Sequence, residues 1–211
     1  LMEQPKNNFK IVSDKKARML LPNTLTLIGV CIGLTSIKFA LDGKFALAIV
    51  AILFAGLMDA LDGRIARLIK GTSKMGKELD SLGDVISFGV APAFIMYFWN
   101  LQYLDKLGWF VCLMYVVCVA LRLARFNVNS EEQQSWKDNF FEGVPAPAGG
   151  IIVLMPLVLS FSGLGEIFFK INYDLVVPIF FIIVSILLIS TIPTYSFKRI
   201  VIPRTMTKFL L

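Results

Sequence analysis

The stretch from Asp59 to Asp84 reads DALDGRIARLIKGTSKMGKELDSLGD and carries four aspartates in two close pairs. Asp59 and Asp62 stand three positions apart, Asp80 and Asp84 four, so each pair shares one face of a helix. The intervening GTSKMG is rich in turn formers and sends the chain back. Two facing helices then present four carboxylates to one point. Such groups repel one another, and near hydrocarbon they are costly unless paired or metal-bound. One or two divalent cations resolve the conflict, and oxygen donors favour magnesium, manganese or calcium. Two cations bridged by carboxylates form a clamp for a diphosphate whose bond is being broken. Gly63, Ala66 and Gly76 leave room beside the carboxylates for a bulky group, and Arg67, one turn from Gly63, can reach a phosphate. Small residues also allow close helix packing. Beside four spaced aspartates, room for a ligand is the stronger reading.

The elements that must hold these residues are membrane helices. Only 17% of positions are charged and 56% are hydrophobic, against about 25% charged in globular domains. Long stretches are nearly free of charge, and a helix needs about 20 apolar residues to cross a bilayer. The expected class is all-α, a polytopic bundle of six spans near 20–41, 45–69, 84–104, 107–127, 146–165 and 174–195. Basic residues set the orientation. With both termini inside, the inner side holds Lys6, Lys10, Lys15, Lys16, Arg18, Arg64, Arg67, Lys70, Lys74, Lys77, Arg122, Arg125, Lys137, Lys198, Arg199, Arg204 and Lys208. The outer connections hold Lys44, Lys106 and Lys170. Residues 1–19 form a basic N-terminal segment without a signal-peptide pattern, either an amphipathic helix on the membrane surface or an extended arm. Residues 20–195 form the membrane domain and 196–211 a basic cytoplasmic tail.

Composition also excludes. The chain has no histidine, so the commonest general base and transition-metal ligand are missing. Cys31, Cys112 and Cys118 lie inside apolar runs with no CxxC pair, which gives neither a zinc site nor a disulfide framework. The net charge of +6 fits topology and contact with anionic lipid. No basic folded surface suits nucleic acid.

The spacing D-x2-D-G-x2-A-R-x8-G-x3-D-x3-D, filled by Asp59, Asp62, Gly63, Ala66, Arg67, Gly76, Asp80 and Asp84, resembles the signature of the CDP-alcohol phosphatidyltransferases. The resemblance implies a six-helix membrane bundle, usually a homodimer, with a polar cavity open to the cytoplasm; the expected cofactor is magnesium or manganese, as a two-metal site, with calcium as the alternative. It implies that Asp59, Asp62 and Asp80 are metal ligands and that Asp84 is a shared ligand or the general base. Gly63, Ala66, Arg67 and Gly76 would shape the CDP-diacylglycerol pocket. Asn23, in the LPNTLT run, resembles a family element that lines the same pocket; a helix-start cap is the other reading.

The signature fixes the donor and not the acceptor alcohol. SFGVAPA from Ser87, ALRLARFN from Ala120 and FEGVPAPAGG from Phe141 resemble the phosphatidylserine synthase branch. Serine brings a carboxylate, which arginine grips with two parallel hydrogen bonds. Arg122 and Arg125 are the candidates, with Ser87 and Asn127 as further acceptor-site residues. Both arginines also fit lipid phosphates or the positive-inside rule. Pro145 and Pro147 shape the start of span five. The competing expectations are another acceptor (glycerol phosphate, inositol phosphate or choline), a cation transporter, and an inactive scaffold. The compact form resembles proteins of a bacterial cytoplasmic membrane, with the site facing inward.

Overall fold

Inside a bilayer, backbone N–H and C=O groups find no water, so apolar runs satisfy them internally as helices. A computed structural model of the chain describes residues 14–68, 74–131, 140–142, 144–162, 172–190 and 193–195. α1 (Asp14–Leu41) and α2 (Phe45–Leu68) pack along their length as an antiparallel hairpin. Their turn is closed by Gly43 at φ 72. Gly43 N–H donates to Ala40 O at 3.0 Å and Lys44 N–H to Phe39 O at 2.8 Å. This pair of bonds satisfies the last carbonyls of α1, and glycine takes the left-handed backbone without a Cβ penalty.

α3 (Lys74–Asp84) runs without a break into a π-helical segment (Val85–Val90) and then α4 (Ala91–Trp99). A single 3-10 turn (Leu101–Leu104) leads into α5 (Asp105–Glu131). Gly108 packs directly against the Leu101 carbonyl, leaving no space for a Cβ. After α5 come α6 (Ala146–Val153), α7 (Met155–Ser162) and α8 (Tyr173–Ile189). Pro156 explains the break between α6 and α7. It has no N–H to continue the ladder and crowds the carbonyl one turn earlier. The chain there tightens to a Leu154 N–H to Ile151 O bond at 3.2 Å. Pro145 is the N-cap residue of α6, and Pro147 falls in its first turn.

The structure moves some expected boundaries. Among the described residues four helices are long and apolar enough to cross a membrane: Pro22–Leu41, Phe45–Leu68, Met75–Trp99 and Leu101–Val128. The third therefore begins before residue 84, because the aspartates sit on a continuous helix instead of ahead of it. The last two apolar stretches, Ala146–Ser162 and Tyr173–Ile189, are shorter helices. One feature adds to the helical class: β1 (Phe140–Glu142) pairs antiparallel with β2 (Pro193–Tyr195), Phe141 opposite Thr194. Of the N-terminal segment, residues 1–13 lie outside the described residues, and so does the tail 196–211. Asp14 to Met19 begin α1.

The packing is that of a membrane protein. α2 buries Ala48, Ala51, Ile52, Ala55 and Asp62 while Val50, Leu53, Phe54 and Leu57 are exposed. Lipid solvates large apolar side chains as well as the interior does, so small residues face the neighbouring helix and let backbones approach. The central core gathers Phe88, Ile95, Met96, Tyr115, Val119, Leu157 and Phe181 around the π segment, α5 and α8. At the opposite end from the aspartates, Asn100 Nδ2 donates to Asp174 Oδ1 at 2.9 Å and joins the end of α4 to the start of α8. Trp99 and Tyr173 stack edge-on beside that bond, 5.6 Å between ring centres.

Candidate active site

The four aspartates occupy facing faces of α2 and α3. Asp59, Asp62 and Asp80 each bring one carboxylate oxygen within 4.8 Å of the others. Asp84, one turn beyond Asp80, lies within hydrogen-bonding reach of Asp59. All four line a narrow cleft, together with Thr26, Gly29 and Val30 of α1, Gly83, and Ser87 and Phe88 of the π segment. The α1 wall stands close. A Cβ at Gly83 would meet Thr26 and Val30 side chains at 3.2 Å.

Asp62 is buried, and its Oδ2 accepts the Thr26 hydroxyl at 2.6 Å. Thr26 is a neutral donor and leaves the negative charge in place. Repulsion among three convergent carboxylates is relieved by a bound cation or by a shared proton. Their spacing and all-oxygen donor set fit a hard divalent ion, whose ligand oxygens stand about 2.0–2.6 Å from the metal. The residues present thus fit a magnesium- or manganese-type centre.

A second, wider cavity of about 210 Å³ opens beside this cleft and shares Thr26, Asp62 and Asp80 with it. Its remaining lining is Pro22, Asn23, Gly63, Ala66, Arg67, Gly76 and Lys77. Every residue expected to shape the nucleotide pocket therefore borders one space continuous with the carboxylates. No described residue lies within 4 Å of a Cβ built on Gly63, so its missing side chain faces the cavity it lines. Arg67 is exposed and its Nε donates back to Gly63 O at 3.0 Å, which folds the guanidinium along α2.

The four acceptor-site candidates separate. Ser87 is buried and lines the carboxylate cleft. Arg122 is partly buried. Its Nε is enclosed and has no hydrogen-bond partner among the described residues. Arg125 points elsewhere: Nη1 donates to Ile189 O at 2.9 Å, at the C-terminal end of α8. Asn127 Nδ2 donates to Ser81 Oγ at 2.9 Å and ties α5 to α3. Ser87 alone of the four lines either cavity; Arg122, Arg125 and Asn127 border neither.

Thr26 is the site residue that the sequence reading passed over. It stands three positions after Asn23 in the LPNTLT run, and that spacing puts both on one face of α1. A polar face on an otherwise apolar helix was the available signal.

Fold and site define a polytopic membrane protein with a carboxylate centre at one end of its bundle. A family model for CDP-alcohol phosphatidyltransferase matches residues 19–192, and the chain belongs to that family. It is similar to the CDP-diacylglycerol–serine O-phosphatidyltransferase of Mycobacterium leprae, 46% identical over 67% of this chain and 47% of the relative. With the protein of the same name from Mycobacterium tuberculosis it shares 39% identity over 87% of this chain and 64% of the relative. The Helicobacter pylori protein of that name is 34% identical over 86% of this chain and 74% of the relative. The chain spans less than two thirds of the length of the two mycobacterial relatives.

Proposed function

We propose that this protein transfers the phosphatidyl group of CDP-diacylglycerol to the hydroxyl of L-serine, forming phosphatidylserine and releasing CMP. The observation that carries the reading is the meeting of Asp59, Asp62 and Asp80 oxygens within 4.8 Å, beside the cavity lined by Asn23, Gly63, Ala66, Arg67 and Gly76. The names of the relatives support serine as acceptor.

Asp59, Asp62, Asp80 and Asp84 would hold one or two magnesium or manganese ions, which when bound would grip the diphosphate and offset the charge of its breaking bond. The wider cavity takes the cytidine end of the donor. Gly63, Ala66 and Gly76 give it room, Asn23 borders it, and Arg67 swings from Gly63 O to a phosphate oxygen. The acyl chains leave between helices into lipid. Asp84 accepts the proton of the serine hydroxyl. The serine oxygen then bonds the lipid-side phosphorus, the bond from that phosphorus to the bridging oxygen breaks, and CMP departs with that oxygen. Arg122 supplies the anion partner for the serine carboxylate, and its unpartnered Nε supports it over Arg125. Ser87 hydrogen-bonds the acceptor inside the cleft. Asn127 and Arg125 act at the margin, holding α5 against α3 and α8.

In the same reading the chain crosses a cytoplasmic membrane six times and works as a homodimer, with both termini and the site facing the cytoplasm. Incorporation of labelled L-serine into lipid by purified protein, dependent on CDP-diacylglycerol, is the test. Labelled glycerol 3-phosphate incorporated in its place would keep the chemistry and discard serine.

A further inference from the structure

We infer that Tyr115 is a positioning residue for the transfer reaction: its hydroxyl holds the π-helical segment that carries Ser87 and follows directly from Asp84. The inference rests on the proposed activity for its kinetic arm alone.

The π segment has an identifiable cause. In an α-helix the Phe88 carbonyl would accept from the N–H of residue 92, which is a proline. Pro92 has no N–H, and its ring crowds the carbonyl one turn earlier. The ladder widens, and Ala91 N–H reaches back five residues to Ile86 O. The Phe88 carbonyl then accepts the Tyr115 hydroxyl at 2.8 Å. Tyr115 is completely buried, so no water competes for either partner. A buried carbonyl without a donor is costly, and one hydroxyl from α5 removes that cost.

Three neighbouring elements press on the widened turn. A Cβ at Gly33 of α1 would stand 2.7 Å from Ser87 Oγ. A Cβ at Gly150 of α6 would stand 3.0 Å from both Cα and O of Phe88. A Cβ at Gly89 would meet Val119 of α5 at 3.3 Å. Close backbone approach fixes where the segment sits, and the Tyr115 bond fixes how it is wound. Winding matters because one extra residue in a turn rotates everything before it relative to everything after it. Asp80 and Asp84 precede the segment on α3 and Ser87 lies inside it, so the winding sets how Ser87 and the α3 aspartates are turned relative to one another and to Asp59. A group placed wrongly by a fraction of an ångström loses much of its catalytic effect.

Tyr115→Phe removes only the hydroxyl and keeps the ring that stacks on Phe181. The test measures kcat, the CDP-diacylglycerol KM, manganese affinity by electron paramagnetic resonance, and thermal stability in detergent. The expected result is a kcat reduced about tenfold with KM within about twofold, and manganese held about fivefold more weakly. Val177→Ala, a core change in α8 near the other end of the bundle, is the control for lost stability; it should leave kcat and manganese affinity unchanged. Gly150→Ala presses on the Phe88 carbonyl from the other side and should copy the Tyr115→Phe pattern. Wild-type kcat and manganese affinity in Tyr115→Phe would overturn the inference, whatever happens to stability. Absence of CMP release from the wild-type protein would instead overturn the proposed activity, and the manganese arm would still decide the role of Tyr115.

Discussion

Thr26 on α1 donates its hydroxyl to Asp62 on α2 at 2.6 Å, so one carboxylate of the cluster is oriented by a helix that contributes no carboxylate. Partners of this kind aim a metal ligand, and their loss commonly costs about 10–100-fold in metal affinity. Thr26→Val keeps the shape and removes the donor. It is expected to raise the manganese concentration for half-maximal activity about tenfold, with kcat at saturating metal much closer to wild type. An unchanged metal dependence would remove Thr26 from the site.

Gly63 faces the cavity it lines, with no described residue within 4 Å of an added Cβ. Alanine in a helix interior is favoured over glycine by about 1 kcal/mol. Gly63→Ala should therefore keep or raise the melting temperature while raising the CDP-diacylglycerol KM several-fold. If KM is unchanged, the donor does not lie against Gly63.

The two arginines of α5 should separate kinetically. Arg122 is partly buried, and its Nε has no partner among the described residues, whereas Arg125 caps the Ile189 carbonyl. Arg122→Ala is expected to raise the L-serine KM about tenfold or more, the loss expected when a charge-assisted hydrogen bond is removed. Arg125→Ala should leave that KM nearly unchanged and lower stability slightly, since an exposed contact contributes about 1 kcal/mol at most. The reverse pattern would place the serine carboxylate at Arg125.

Removing divalent ions should do more than stop turnover. A ligand that binds only the folded state stabilises it, and here it also offsets repulsion among four carboxylates. Chelation is expected to lower the melting temperature in detergent, and manganese should restore it. In Asp59→Asn the chelation effect should shrink. Equal melting temperatures with and without metal would argue against a cation among Asp59, Asp62 and Asp80.

Much of this site is legible along the chain because its main carriers are local. Three- and four-residue spacings put Asp59 with Asp62 and Asp80 with Asp84 before any fold is known. The turn-forming run between them leads one to expect the two pairs on facing helices, and Gly63, Ala66 and Gly76 mark the space beside them. Contacts between helices far apart in sequence were hidden. Helical periodicity tells which residues of α1 share a face, but not that Thr26 meets Asp62 thirty-six positions later. The π segment was likewise invisible, although Pro92 is its local cause, because its second cause is Tyr115 on another helix. The third helix was expected at 84 because its first turns are charged. They fold into the helix because the aspartates face one another across α2 and α3 instead of facing lipid. Arg125 looked equivalent to Arg122 in sequence, and only the position of the end of α8 separates them.

The most direct measurement is CMP release by purified protein in detergent with CDP-diacylglycerol, with and without manganese and L-serine, on wild type and Asp84→Asn. Release is expected only when metal and L-serine are both present, with a loss of at least about 100-fold in Asp84→Asn and the protein still folded. Release that needs neither metal nor serine, or an Asp84→Asn enzyme retaining most of its turnover, would contradict it.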